Sequence, residues 1–456
     1  MNIAVFLIVV ILAASFAWGM RGDLIGGEEG AMLPGAWLGL CIAMLFGNQF
    51  MSENFYVFSA LGMLGIFIGG AETYAETLSF SFWGDGFNPK PESMAKGMVG
   101  VAVKGAVWFG FCAAVMGIGF TSMTVKPYKW YEFIILICVL MLVRFLGTVL
   151  LNRPCDAEKG KFPKLYFSKT RPEEWGGMLF MLISMVVFAL LHKDYFACKL
   201  TLFGVAGGSI GWVIAQFFHS ASRKKFRNGK YLFGKFNEKG YVDSWKNMEF
   251  TLGAIGGLAI ALGFLVQRDT VESYTLRTTA QETDFTASTV VFAVLISLYA
   301  LSNLFKYRSE KALKICELIN RPILCYLPMT LIFMGNYQVA KICTFVVLPW
   351  MAMEENCFVQ LRNCGRKIKV LATVDFIAFA CLMVSAFLIE TPSSKMFIIL
   401  FFVLVSLLYV VCAFTANAAK IAKNKGSFEL SKNRTLISVY SYYIFCIAAV
   451  TVLLII

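Results

Sequence analysis

The chain has 456 residues, a formal charge of +13, 58% hydrophobic residues and only 15% charged ones, with a mean hydropathy of +0.70. Soluble domains carry about 25% charged residues, so a water-soluble fold is excluded. The 43 Phe and 17 Tyr exclude a disordered chain, and two His residues are too few for a His-rich metal centre.

A helix needs roughly 20 mostly apolar residues to cross a bilayer. The sequence predicts an all-α, polytopic transmembrane protein with about 14 spans (12–14): 2–19, 32–47, 55–71, 97–120, 130–151, 176–191, 196–217, 248–266, 287–305, 316–334, 337–353, 368–389, 395–415 and 435–456. Helices are required because lipid offers no partner to a free backbone N–H or C=O. The long apolar runs lack the alternation of a β-barrel. Segment 1–17 reads like a secretory h-region but has no basic n-region, so it is taken as a span. Segments 316–334 and 337–353 are short and Pro-interrupted, and are read as a hairpin turning at Gly335-Asn336.

Basic residues orient the chain. Loop 152–175 holds six Lys and Arg, loop 218–247 holds eight, and loops 306–315, 354–367 and 416–434 are also basic. The alternate loops are poor in Lys and Arg, and 267–286 is net acidic. The basic face is expected to be cytoplasmic in a plasma (inner) membrane, with both termini outside. This divides the chain into an N-terminal membrane half (1–217), a basic cytoplasmic linker (218–247) and a C-terminal membrane half (248–456). Seven spans on each side of a linker suggest an inverted repeat, an arrangement frequent in secondary transporters. Anionic lipid headgroups are the expected partners of the basic loops; nucleic acid is not. A homo-oligomer is compatible with the sequence, and no cofactor is expected. The 13 Cys fall mostly inside spans and give neither a disulfide framework nor a zinc spacing.

The candidate site residues are polar groups at depth. In 16–40, Arg21, Asp23, Glu28 and Glu29 are interspersed with Gly19, Gly22, Gly26, Gly27, Gly30 and Gly35. That Gly density disfavours an uninterrupted helix. It predicts irregular backbone lining a cavity or packing closely, with Arg21 offsetting Asp23 or a Glu. Glu72 and Glu76 follow span 3, four apart and on one helical face. Their place at a helix C-terminus invites a cation, a proton or a metal ion. Lys104 lies deep in span 4, where it either snorkels or pairs with Glu72 or Glu76. Span 7 carries Gly204, Gly207 and Gly208, then Gln216 and His219. Span 8 carries Glu249, then Gly253, Gly256 and Gly257. The shared Gly-x-x-Gly-Gly spacing lets helices approach closely, and Gln216 and Glu249 are expected to face one cavity with the 16–40 link. His219 reads as an interfacial residue. Asp375 is the deepest acid of the second half; Arg144 is a comparable deep base, close enough to a span end to snorkel.

Two functions follow from this pattern. The first is a secondary transporter for a small molecule or ion, coupled to protons or a cation, its polar cavity built by spans 1–3 and 7–8. The second is an intramembrane enzyme acting on a lipid-linked substrate from the cytoplasmic face through Glu28, Glu29, Glu72 and Glu76. Neither a Ser/His nucleophile pair nor an H-E-x-x-H motif is present.

Overall fold

The computed structural model describes residues 2–24, 29–70, 77–78, 91–156, 158–168, 172–223, 233–276, 286–305, 322–348, 394–425 and 429–455. These are overwhelmingly helical, with no strand beyond an isolated Asp156–Lys161 bridge. Seven helices are long and apolar enough to cross a membrane. The chain is therefore an all-α membrane protein.

In chain order the helices are α1 (Ile3–Leu24), α2 (Met32–Leu45), α3 (Gln49–Glu53), α4 (Phe55–Gly69), α5 (Pro91–Met123), α6 (Trp130–Asn152), α7 (Trp175–Leu191) and α8 (Tyr195–Arg223). They continue with α9 (Lys235–Glu238), α10 (Ser244–Val266), α11 (Arg268–Leu276), α12 (Thr286–Phe305), α13 (Leu327–Phe333), α14 (Tyr337–Ile342), α15 (Ser394–Lys425) and α16 (Arg434–Ile455). Two stretches of π-helix, Pro322–Tyr326 and Cys343–Val347, precede α13 and follow α14. The hairpin turn falls where the sequence puts it. Gly335 takes a φ of 101°, which favours glycine, and the Asn336 side chain caps α14 by accepting from Val339 N.

Six helices close into a ring in the order α1, α2, α4, α5, α8, α10 and back to α1. The α6–α7 pair packs outside α5, the α15–α16 pair outside α1, and α13 and α14 lie against α4. Thus α10, which follows the basic linker, packs with α1 and α8. Helix α5 is the most enclosed of the long helices, whereas α6 presents Ile135, Leu142, Phe145 and Leu150 outward. An apolar face left open in this way suits lipid contact.

Glycine sets the ring's spacing. A Cβ on Gly105 would lie 2.2 Å from the Gly208 carbonyl oxygen, and one on Gly208 would lie 2.0 Å from that of Gly105. Gly35 and Gly62 hold α2 against α4 in the same way, each 2.2 Å from the other's carbonyl oxygen. The spacing seen in spans 7 and 8 therefore serves packing: Gly204 meets Phe109, Gly207 meets Ala259, and Gly253 meets Ala14.

One expectation is corrected. Residues 32–40 are helical as their span predicts, but 20–24, expected to be irregular as part of the link, continue α1 as helix. The intrinsic cost of Gly in a helix is overridden by close tertiary contact, since Gly19 packs under the Phe250 ring and Gly35 against the Gly62 backbone. Only 25–28, within that link, lies outside the described residues.

The two ends of the ring differ in chemistry. Phe46, Phe58, Phe120, Phe196 and Phe264 fill one end, with ring centroids 5.0–6.5 Å apart along their contacts. Aromatic edges and faces in this geometry add to burial. The other end carries Arg21, Lys104, Lys246 and Glu249.

Candidate functional site

The C-terminal ends of α1 and α8 and the N-terminal parts of α5 and α10 share the charged end of the ring. Arg21 sits in the last turn of α1, where a cation is favoured by the helix dipole. Its guanidinium is 6% exposed and lies 5.6 Å from the Trp18 ring and 5.2 Å from that of Trp108. Trp18 and Trp108 stack at 5.3 Å, and Trp212 meets Trp108 edge-on at 6.0 Å. A desolvated cation over indole faces is attracted by the ring quadrupoles. Arg21 therefore rests on α1 and α5 through aromatic faces.

Lys104 is 1% exposed, so it does not snorkel. Its Nζ donates to Glu173 Oε1 and to Thr77 Oγ1, each at 2.9 Å. Glu173, itself 3% exposed, also accepts from Phe167 N at 2.7 Å through Oε2, and Thr77 donates to Phe167 O at 3.1 Å. The α6–α7 connection thus folds inward to supply a carboxylate to α5. Satisfying both oxygens is what makes a buried ion pair tolerable. The sequence reading missed Glu173 because it stands in a basic loop. The one signal was its place two residues before Trp175, where α7 begins.

Lys246 and Glu249 form the second buried pair, at 2.7 Å, one turn apart on α10. Lys246 also donates to Gly19 O of α1 at 2.8 Å. The pair is positioned by Asp243, whose side chain caps α10 by accepting from Trp245 N and Lys246 N. Glu249 is therefore joined to α1. Gln216 is buried on α8 and donates to Leu78 O at 3.2 Å and Ser220 Oγ at 3.3 Å. His219 is 1% exposed, covered by the start of α10. Its Nδ1 lies 2.9 Å from Ser244 O and its ring 4.6 Å from Trp245.

Glu28, Glu72, Glu76 and Asp375 lie outside the described residues. Asp23 ends α1 and Glu29 opens a short 3-10 turn, but their side chains are likewise outside the description. Among the described residues, no three His, Cys, Asp or Glu side chains group as a metal site. Arg144 pairs with Glu174 and donates to Tyr326 OH at 3.2 Å, fixing α6 to the π-helical Pro322–Tyr326 segment.

A second polar cluster occupies the phenylalanine end. Asp194 Oδ2 accepts from Thr121 Oγ1 and Tyr128 OH, both at 2.5 Å, and Oδ1 accepts from Ala197 N at 2.9 Å, capping α8. Burial raises the Asp194 carboxyl above the usual carboxylate range, against the lowering effect of those three donors. His192 Nε2 lies 3.1 Å from Glu132 Oε2, and its ring lies 4.9 Å from that of Tyr128.

The charged end, then, buries two ion pairs and an arginine against tryptophan faces inside an apolar bundle. No family model matches the chain, and no curated protein sequence and no solved structure matches it either.

Proposed function

We propose that the chain is a multi-pass membrane transporter, secondary and coupled to protons or a cation. Its substrate path would run through the six-helix ring. One observation carries this reading: Arg21, Lys104, Lys246 and Glu249 are buried on apolar helices, with Glu173 of the α6–α7 connection turned in against Lys104. Ionisable groups within membrane spans are expensive and are usually retained for ion or substrate pathways. The ring's opposite end, closed by five phenylalanines, suits a state shut on that side.

The proposed location is the plasma (inner) membrane with the basic loops cytoplasmic. The site residues at the charged end are Arg21, Lys104, Gln216 and Glu249, joined by Glu173 and Lys246. The carboxylates Asp23, Glu28, Glu29, Glu72 and Glu76 belong to the adjoining segments and are proposed as the coupling groups.

The test is reconstitution into liposomes under an imposed pH gradient, with a panel of carboxylates, amines and amino acids offered outside. Internal pH is followed by dye and uptake by mass spectrometry. A saturable, substrate-dependent proton flux is expected in the wild type and is lost in Arg21→Gln and Lys104→Met. Turnover of a lipid-linked substrate without any such flux would replace transport with intramembrane catalysis.

A further inference from the structure

At the charged end, but outside the ring, α8, α9, α10 and α16 enclose a cleft of ≈ 480 Å³. Its walls are dominated by six aromatic rings: Phe218, Phe233, Phe236, Tyr241, Phe250 and Tyr442. Phe218 and Phe233 stack at 6.4 Å, and Phe250 and Tyr442 meet at 4.3 Å. The walls are fixed by polar contacts behind them. Asn237 Nδ2 donates to Ser222 O at 2.5 Å, tying α9 to α8. The carbonyls of Lys239, Gly240 and Tyr241 accept from Arg434, Thr435 and Ser438 at the start of α16. A cleft held in this way is preformed, which lowers the ordering cost of filling it.

Two features identify the occupant. The first is continuity with the apolar belt. Ile210, Ile214 and Phe217 on α8, and Ile444 and Phe445 on α16, are exposed immediately beyond the cleft, and Phe236 stands 69% exposed at its rim. A chain lying on that belt reaches the rings without crossing water. The second is charge. Arg434 is exposed, donates to Lys239 O and lies 5.6 Å from the cleft-lining Tyr241 ring, and the exposed Lys235 and Lys239 flank Phe236 on and just after α9. Of the acids on these elements, Asp243 caps α10, Glu249 pairs with Lys246 and Glu429 with Lys432, while Glu238 is exposed.

We infer that this cleft is a binding site for an anionic phospholipid: an acyl chain lies against the six rings and the phosphate is held by Lys235, Lys239 and Arg434. Basic pockets at the membrane surface recognise anionic headgroups, and aromatic residues with one wet edge suit the interface. The inference rests on the membrane reading of the chain and is independent of what it transports.

The experiment uses the full chain, delipidated in detergent and offered equal amounts of phosphatidylglycerol and phosphatidylcholine, with retained lipid counted by native mass spectrometry. The wild type is expected to retain phosphatidylglycerol at least tenfold over phosphatidylcholine. Lys235→Gln/Lys239→Gln/Arg434→Gln should bring the two to near parity. Phe233→Ala/Phe236→Ala should reduce total retained lipid several-fold while keeping the anionic preference, and provides an arm that does not depend on charge. Lys126→Gln/Lys129→Gln, at the other end of the bundle, should change nothing. Parity in the wild type, or an unchanged triple variant, overturns the site. Full displacement by glycerol phosphate or inorganic phosphate also overturns it, because a headgroup alone would then suffice.

Discussion

Lys104 and Glu173 stand 69 residues apart in sequence and 2.9 Å apart in space, and neither reaches solvent. Removing one partner of such a pair strands the other charge, which costs about 3–5 kcal/mol, whereas replacing both with apolar residues is often neutral or stabilising. Lys104→Met and Glu173→Gln alone should each lower the melting temperature in detergent sharply. Lys104→Met/Glu173→Leu should recover most of the loss. A double variant as unstable as the sum of the singles would show that the two groups act separately.

Helix α5 meets α8 backbone to backbone. Gly208→Ala forces a Cβ to 2.0 Å from a carbonyl oxygen that has no side chain to swing away. Overpacking of this kind costs about 1–3 kcal/mol. Gly211, on the same helix, has its nearest neighbours at 3.4 Å, so Gly211→Ala should be close to neutral. Thermal unfolding of the two variants side by side measures the difference.

The Asp194 carboxyl binds its proton more tightly folded than unfolded, because burial raises its pKa. The folded state then holds more protons in the window between the unfolded value, about 3.9, and the raised folded one. Stability from this group is full below that window and falls as pH rises through it. Asp194→Asn removes the titration while keeping a polar cap on α8. The stability of the wild type relative to Asp194→Asn should therefore decline as pH is raised from 4 toward neutrality. An unchanged difference across that range would mean the carboxyl does not titrate there.

Cys155 lies half-exposed just after α6, in the connection that carries six basic residues. With Cys316, Cys357 and Cys364 replaced by serine, a membrane-impermeant maleimide should label it in inverted vesicles and not in right-side-out ones. Cys112, enclosed in α5, should react only after unfolding. Labelling of Cys155 from the outside would reverse the proposed orientation.

The all-α membrane class was readable because a bilayer demands long apolar helices, seven of which stand among the described residues; at Trp130–Asn152 and Trp175–Leu191 the helix bounds also fall within a residue of the segments that hydropathy alone picks out. Partners across the bundle were harder. The depth of Lys104 showed that it needs a counter-charge, but periodicity carries no record of which distant loop supplies one. Glu173 sits among lysines and arginines, and it is delivered by the inward turn of Phe167 and Glu173 themselves, joined by a hydrogen bond, from an otherwise largely exposed connection. The glycines of 16–40 were visible, yet their meaning depended on Phe250 and Gly62, which no local rule connects to them. The cover over His219 was hidden for the same reason: the Ser244 carbonyl and Trp245 ring come from the far side of the linker.

The ring has a seam, and it lies between α1 and α10. Proteins are built from the amino end, so α1 is made well before α10, and the Lys246 hydrogen bond to Gly19 and the Gly253 contact with Ala14 cannot form until the chain has been made beyond the basic linker. Until then one flank of the first helix, with its tryptophan and arginine, has no protein wall. A segment synthesised early is thus among the last to be locked in place, and damage to α10 should be felt at α1.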